Sequence, residues 1–186
     1  VKKVAMCWGS QTAKTTTIYI GLGWVIDRSH GPILWVWSNE KQARNFSNDR
    51  FIPFCEDSAV IARHLPKTAD GKIDRDRAAA LRIEFDRCSL NMIGGGSSKN
   101  VRNYPVSYLI IDEADIIDES IRREVEQRIK GRRSYKIFIS STPLEEGGIW
   151  AEYLMGDQRK YLMPCPHCEK HISFEWRKGK GEYNIR

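Results

Sequence analysis

The sequence has no long apolar run. None of its hydrophobic stretches approaches the roughly 20 residues that a membrane-spanning helix needs. Polar residues also interrupt the first residues too early for a signal peptide. We therefore expect a soluble intracellular protein that does not contact a membrane.

Cysteine is scarce. The 186 residues contain five cysteines, an odd number, so a disulfide framework is not expected in a chain of this length. Only Cys165 and Cys168 have a spacing that is typical of a chemical role. We expect Cys7, Cys55 and Cys88 to be buried thiols.

Apolar residues, by contrast, are plentiful. They make up 41% of the chain, which is enough for one sizeable core and excludes intrinsic disorder. The chain carries 30 Lys and Arg against 24 Asp and Glu, a formal net charge of +6. This moderate basic excess is compatible with an acidic partner but does not identify one.

Short apolar runs alternate with segments of helical period, as in parallel sheets covered by helices. The runs Leu109–Ile111 and Ile137–Ile139 are continuously apolar, which predicts central strands buried on both faces. The predicted fold class is therefore α/β, with a mainly parallel central sheet flanked by helices.

The predicted domain organisation has two parts. Residues 1–162 are expected to form one domain, with an insertion or hairpin in the charged middle, Glu56–Arg87. Residues 163–186 are expected to begin a second module, a linker with a cysteine knuckle. Because the chain starts just before its first motif and ends soon after its last cysteine, we expect both ends to be truncated.

The first motif follows the first predicted strand and precedes a helix, as a Walker A phosphate loop does. It reads Gly9-Ser10-Gln11-Thr12-Ala13-Lys14-Thr15-Thr16. Backbone N–H groups of such a loop hold phosphates, while Lys14 would bridge them and the Thr15 hydroxyl would bind Mg²⁺. Trp8 and Ala13 stand where the consensus has glycine, and a methyl group at 13 crowds the phosphate if φ is positive there. A polar strand-to-helix turn remains the alternative.

The second motif is an apolar strand that ends in two carboxylates, Asp112 and Glu113, as in Walker B. Beside a phosphate loop, Asp112 is expected to hold Mg²⁺, and Glu113 to orient and deprotonate the attacking water. The alternative is a strand end with two solvated carboxylates. The order and spacing of the two motifs favour an ATPase.

A third motif, Ser140-Ser141-Thr142-Pro143, closes another predicted buried strand. Polar side chains at such a strand end can sense the γ-phosphate and transmit its loss. Ser141 and Thr142 are the candidates for this coupling role. A plain turn is the alternative interpretation.

Together these motifs resemble the large terminase subunits of tailed bacteriophages, and among them the lambda-like type. These subunits are ATP-driven motors that package DNA into proheads. The resemblance covers nearly the whole chain and includes three further stretches: Ile33–Trp37 with Lys41–Arg44, Ser97–Arg102 leading into Pro105–Glu113, and Gly156–Tyr161 with Pro164–Cys168.

The resemblance implies a RecA-like P-loop fold of the ASCE type, with ATP and Mg²⁺ as cofactors. It implies a homo-oligomeric ring on the portal protein that translocates double-stranded DNA in the host cytoplasm and works with a small terminase subunit. Arg102 matches the position of an arginine finger, and an ordinary solvated or DNA-contacting arginine is the alternative there. The family's C-terminal nuclease domain is expected to be absent, and nuclease activity with it.

The Cys165–Cys168 pair has three interpretations. His167 or His171 would complete a zinc site within the chain, or a second cysteine pair beyond Arg186 would complete a zinc ribbon. The third interpretation is a pair of reduced, unligated thiols.

Two other functions compete with the packaging motor. The run Asp112-Glu113-Ala114-Asp115 also occurs in one half of a superfamily 2 helicase, although Ser-Thr-Pro replaces the helicase Ser-Ala-Thr. A non-hydrolysing DNA-binding assembly module with a degenerate phosphate loop would explain Trp8 and Ala13. Glu113 argues against that module, because a site that does not hydrolyse ATP has no need of this carboxylate.

Overall fold

The structure is a computed structural model that describes residues 2–95, 106–131, 133–144 and 147–172. Contacts between residues divide the chain into two compact units, Val1–Gly156 and Asp157–Arg186. The predicted functional division after residue 162 stays a prediction.

A sheet forms the centre of the larger unit. Its strands in chain order are β1 (Lys3–Cys7), β2 (Ile33–Trp37), β3 (Ala78–Ala79), β4 (Arg82–Glu84), β5 (Ser89–Gly94), β6 (Tyr108–Ile111) and β7 (Lys136–Ser141). Their order across the sheet is β1-β7-β6-β2-β5-β4-β3. The first five of these run parallel, whereas β4 and β3 pair antiparallel. The predicted α/β class with a mainly parallel sheet is confirmed.

Helices connect the strands. They are α1 (Lys14–Trp24), α2 (Glu40–Phe46), α3 (Ile52–Asp57), α4 (Ala59–Ala62), α5 (Glu119–Lys130) and α6 (Gly148–Leu154). A π-helical turn, Val25–Ser29, extends α1, and a second one, Ser47–Phe51, joins α2 to α3. None of the helices in the described ranges is long and apolar enough to cross a membrane.

The two faces of the sheet build two cores. All five residues of β2 are buried, and they alternate between the faces. Trp35 packs with Phe46 and Phe51 on the face that α1 to α3 cover, whereas Leu34 lies in the other core. That second core contains the apolar face of α5 and its neighbours. Burial on both faces explains why the strand runs are continuously apolar.

The isolated cysteines are buried to different degrees. Cys55 is fully buried, and burial raises its pKa, as the prediction of buried thiols requires. Cys7 and Cys88 are only half-buried, so the prediction was too strong for these two. Each lies at the edge of a core rather than inside it.

The smaller unit contains a short antiparallel hairpin of β8 (Met163–Pro164) and β9 (His171–Ile172). Inside it, the Cys165 N–H donates to the Lys170 carbonyl at 2.9 Å. The Glu169 N–H donates back to the Cys165 carbonyl at 2.9 Å. These bonds close the knuckle that contains both cysteines of the pair.

Candidate nucleotide site

The strand order brings three sequence motifs to one edge of the sheet. Strand β7 lies between β1, which precedes the phosphate loop, and β6, which precedes Asp112. Parallel strands place their carboxyl ends on the same side, which is where ligands bind in open α/β sheets. Cys7 pairs in register with Ser141, so the phosphate loop and the third motif begin side by side.

The phosphate loop has two residues in the left-handed region. Gln11 has φ 56° and Ala13 has φ 61°. Ala13 immediately precedes α1, and its carbonyl accepts the Thr17 N–H at 2.9 Å, which starts the helix. The left-handed conformation at Ala13 has an energetic cost that glycine would not have. It also meets the condition under which we expected the Ala13 methyl group to crowd a phosphate.

Lys14 reaches across the loop to the neighbouring strand end. Its Nζ donates to the Gly9 carbonyl at 2.7 Å and to the Thr142 Oγ1 at 3.0 Å. The Trp8 carbonyl lies 3.4 Å from the same nitrogen. All three acceptors are neutral oxygens, so an anionic phosphate would be a stronger partner for this ammonium group.

Asp112 is the buried centre of the site. Its side chain accepts a 2.8 Å hydrogen bond from Thr15 Oγ1 through Oδ2, and one from the Ser140 hydroxyl through Oδ1. The residue is 1% exposed. A hydroxyl and a carboxylate that meet in this way fit Mg²⁺, which takes few protein oxygens and completes its shell with water and phosphate.

Glu113 follows Asp112 in an unusual backbone conformation. Its φ is 53°, and its N–H donates to Asp112 Oδ1 at 3.1 Å. The residue is half-buried and lines the same pocket. A strained backbone of this kind persists only where the surrounding structure holds it. Such positions are frequent at functional sites.

Asp115 connects the second motif to the third, a role that we did not predict. Its carboxylate accepts the Ile149 N–H at 2.7 Å and the Leu144 N–H at 3.2 Å. Its own N–H donates to Ser141 Oγ at 3.2 Å. Gly148 has φ 50°, and a Cβ there would overlap the Asp115 carboxylate. The helicase-like run had drawn attention to Asp115, but no sequence signal showed these partners.

These elements enclose an open cavity of about 550 Å³. Its lining includes every predicted phosphate-loop residue from Ser10 to Thr16, together with Asp112, Glu113, Ser141 and Thr142. Gly9 is not among the lining residues and acts through its carbonyl. The lining also contains Arg50, Ile116 and Leu144, which the sequence had not suggested.

Two predicted sites stand apart from this cavity. Arg102 lies outside the described residues. Cys165 and Cys168 belong to the smaller unit, where backbone N–H groups of His167 and Cys168 lower the pKa of the Cys165 thiol. Within the described ranges no three His, Cys, Asp or Glu side chains are grouped to hold a metal ion, so zinc binding by Cys165 and Cys168 stays a prediction.

Comparison with solved structures finds proteins of similar fold. The large terminase ATPase domain of Thermus phage P74-26 superposes with a TM-score of 0.63 at 18% identity, over 92% of this chain and 71% of that chain. A variant of it with one arginine changed to alanine gives 0.66 at 17%, over 92% and 72%. The large terminase of another thermophilic bacteriophage gives 0.55 at 14%, over 76% and 34%. At these identities the likeness establishes a shared P-loop, RecA-like fold.

Sequence comparison extends the likeness from fold to family. Curated protein sequences gave no significant match. A family model described as the phage terminase large subunit gpA, ATPase domain, matches residues 1–183. Because this match covers nearly the whole sequence, the chain belongs to the family of gpA-type ATPase domains of phage terminase large subunits.

Proposed function

We propose that this chain binds and hydrolyses ATP with Mg²⁺ and couples hydrolysis to translocation of double-stranded DNA into a phage prohead. The observation that supports this most is the meeting of Lys14, Thr15 and Asp112 around one cavity. These residues come from two motifs separated by about a hundred positions in sequence. Formation of a sheet edge does not by itself require a lysine, a hydroxyl group and a carboxylate to meet there.

The phosphate loop would hold the β- and γ-phosphates. The free N–H groups of the first turn of α1 point to the cavity end of the helix and favour an anion there. Lys14 would exchange its carbonyl and Thr142 partners for phosphate oxygens. This exchange frees the Thr142 hydroxyl when nucleotide is present.

Thr15 and Asp112 are the residues that would hold Mg²⁺. When bound, the ion neutralises negative charge on the phosphates during transfer. Asp112 is preset for this role, because hydrogen bonds from Thr15, Ser140 and the Glu113 N–H orient the carboxylate. Burial also excludes competing water from this carboxylate.

Glu113 is the proposed general base. Its carboxylate would accept a proton from the water that attacks the γ-phosphorus, while the bond to the bridging oxygen of ADP breaks. In this assignment Asp112 binds the metal, and the positive φ at Glu113 separates the directions of the two neighbouring side chains. Arg102, supplied to a neighbouring subunit, is the proposed arginine finger.

Ser141 and Thr142 are proposed to couple the nucleotide state to movement. Thr142 contacts Lys14, and the Ser141 hydroxyl accepts the Asp115 N–H. Asp115 in turn holds the start of α6 through the Ile149 N–H. Loss of the γ-phosphate would thus change a series of contacts that leads from Lys14 to the first turn of α6.

The wider setting of this activity is also a proposal. We infer a homo-oligomeric ring that works in the host cytoplasm with the portal protein and a small terminase subunit. Membership of the gpA-type family does not favour a helicase half or a non-hydrolysing assembly module.

Steady-state ATP turnover with Mg²⁺, with and without double-stranded DNA, tests the proposal. We expect Glu113→Gln to lower kcat about 100-fold or more while ATP still binds. Lys14→Ala should weaken ATP binding itself. Glu119→Gln, which changes an exposed carboxylate outside the cavity, is the matched control and should keep wild-type turnover.

DNA should stimulate the wild type, and added salt should reduce that stimulation. Equal turnover in wild type and Glu113→Gln would overturn the ATPase assignment. Turnover that ignores DNA at low salt would overturn the motor assignment alone.

A further inference from the structure

Arg50 lines the nucleotide cavity although it belongs to none of the three motifs. It lies in the π-helical turn Ser47–Phe51, between α2 and α3. Its side chain is exposed, and it has no hydrogen bond or ion pair with any residue in the described ranges. Among the described residues nothing occupies its five N–H donors, so an arginine that could bind a ligand borders the cavity.

The backbone at Arg50 is firmly held. Phe51 is fully buried, and its ring packs edge-on against Trp35 with centroids 6.0 Å apart. Ser47, at the other end of the turn, is also fully buried. The position of Arg50 is thus set by the core, and only its side chain extends to solvent.

Arg50 lies inside a π-helical turn. The Ile52 N–H bonds to the Ser47 carbonyl, five residues back, instead of four. Single π-helical turns of this kind often occur at functional sites.

The residues that flank the turn pack against the middle of α1. Tyr19 of α1 packs against Phe46 and Phe54, which flank the turn, with ring centroids 6.1 and 4.8 Å away. The first turn of α1 contributes Lys14, Thr15 and Thr16 to the cavity. Arg50 therefore borders the same cavity as the N-terminal end of α1, which favours anions.

A polyphosphate in this cavity would need more positive charge than Lys14 provides, and Arg50 would supply it. Its lining contains two cations, Lys14 and Arg50, and two carboxylates, Asp112 and Glu113. A nucleoside triphosphate adds several negative charges, of which a single lysine and one Mg²⁺ neutralise only part. A guanidinium group can also bind phosphate oxygens in bidentate fashion.

We propose that Arg50 binds the polyphosphate of the nucleotide within the same subunit. This inference rests on the proposed nucleotide-binding function of the cavity. Arg50 acts as a second cationic clamp beside Lys14, and not as a contact for the base or for DNA.

Binding measurements on the chain, by calorimetry with Mg²⁺, test this role with three probes: a non-hydrolysable ATP analogue, inorganic tripolyphosphate and adenosine. We expect Arg50→Gln to weaken the analogue and tripolyphosphate about tenfold each, the usual scale for one charge-assisted hydrogen-bonded contact. Adenosine binding should not change. Arg50→Lys should restore part of the affinity, because it keeps the charge but loses the bidentate geometry.

Arg44→Gln is the matched control, since Arg44 is an exposed arginine of α2 that pairs with Glu40 and does not line the cavity. Unchanged tripolyphosphate affinity in Arg50→Gln would overturn the proposal, and so would a selective loss of adenosine binding. Lys14→Ala distinguishes failure of the Arg50 proposal from failure of the proposed nucleotide site. If Lys14→Ala weakens binding of the ATP analogue and Arg50→Gln does not, only the proposed role of Arg50 fails. If Lys14→Ala does not weaken binding of the analogue, the proposed nucleotide site itself is wrong.

Discussion

Thr15 Oγ1 donates a 2.8 Å hydrogen bond to Asp112 Oδ2, which joins the first turn of α1 to the end of β6. Strand β7 separates β6 from the strand that leads into α1. The bond therefore spans the width of the site and holds both proposed Mg²⁺ ligands in place before any ion binds.

Changing Asp112 to asparagine tests this arrangement. Asparagine keeps the shape but loses the negative charge, so we expect the Mg²⁺-dependent part of ATP affinity to disappear. ATP affinity measured in EDTA should stay the same or rise, because a carboxylate near the phosphates has been neutralised. Titrations with and without Mg²⁺ check both, and an unchanged Mg²⁺ dependence would contradict the ligand assignment.

Changing Ala13 to glycine should stabilise the protein. The left-handed φ of 61° costs alanine roughly 1 kcal/mol, and glycine adopts it without that cost. We expect a higher urea midpoint and tighter nucleotide binding, because the methyl group is also removed from the loop. Gly21→Ala is a useful contrast, since a Cβ there meets nothing within 4 Å inside α1. It should stabilise the helix without changing nucleotide affinity.

Changing Asp115 to alanine should release the start of α6. The Ile149 and Leu144 N–H groups lose their acceptor, which costs about 1–3 kcal/mol where such groups are buried. Hydrogen exchange should accelerate at these two amides, and kcat should fall more than ATP affinity. Asp57→Asn, an exposed carboxylate elsewhere, provides the control. Unchanged exchange at Ile149 would contradict the anchoring role.

The pair of Asp27 and His64 predicts a pH dependence of stability. Hydrogen bonds from His64 and Arg63 lower the pKa of Asp27 to about 2 from its ordinary 3.8. His64 also contacts Asp86 through Nδ1 at 2.8 Å. Because the pKa is lower in the folded protein, the stabilisation by Asp27 is complete above its ordinary pKa. It is lost as the pH falls through about 2.

Urea unfolding of wild type and Asp27→Asn at a series of pH values measures this effect. The difference in unfolding free energy should be constant at neutral and mildly acidic pH. It should shrink between about pH 4 and 2. A difference that instead disappears between about pH 6 and 8, where histidine titrates, would assign the effect to another group.

The five cysteines should react with iodoacetamide in a defined order. The lowered pKa of Cys165 raises its thiolate fraction, so this thiol should be alkylated early. Burial raises the pKa of Cys88 to about 12, and Cys55 is fully buried with a raised pKa as well. Cys55 should react only after unfolding, whereas the half-buried Cys88 should react slowly in the folded protein. Mass spectrometry of peptides from timed samples would show the order, and early alkylation of Cys55 would contradict its burial.

The local motifs were readable from sequence because each depends on neighbouring residues. Lys14 and Thr15 are adjacent, Asp112 and Glu113 are adjacent, and continuous apolar residues before each pair indicate a buried strand. The strand and helix pattern likewise predicted a mainly parallel sheet, since burial on both faces selects apolar side chains throughout.

The groups that connect these motifs were not readable in the same way. Arg50 borders the cavity from a π-helical turn, and i to i+5 hydrogen bonding has no clear residue signature. The sequence shows that Asp115 follows the second motif, but it does not show its partners Leu144 and Ile149, which lie about thirty positions away. Arg102 remains a prediction, as do the roles of Ser141 and Thr142.

By itself the sequence determined which chemical groups are available and which strand or loop presents each of them. The tertiary structure decided which of them meet. The order β1-β7-β6 brings Lys14 to Thr142 and Thr15 to Asp112, and that order follows from how helices pack on the two faces of the sheet. Such packing depends on the whole chain, whereas each motif depends only on residues that are adjacent in sequence.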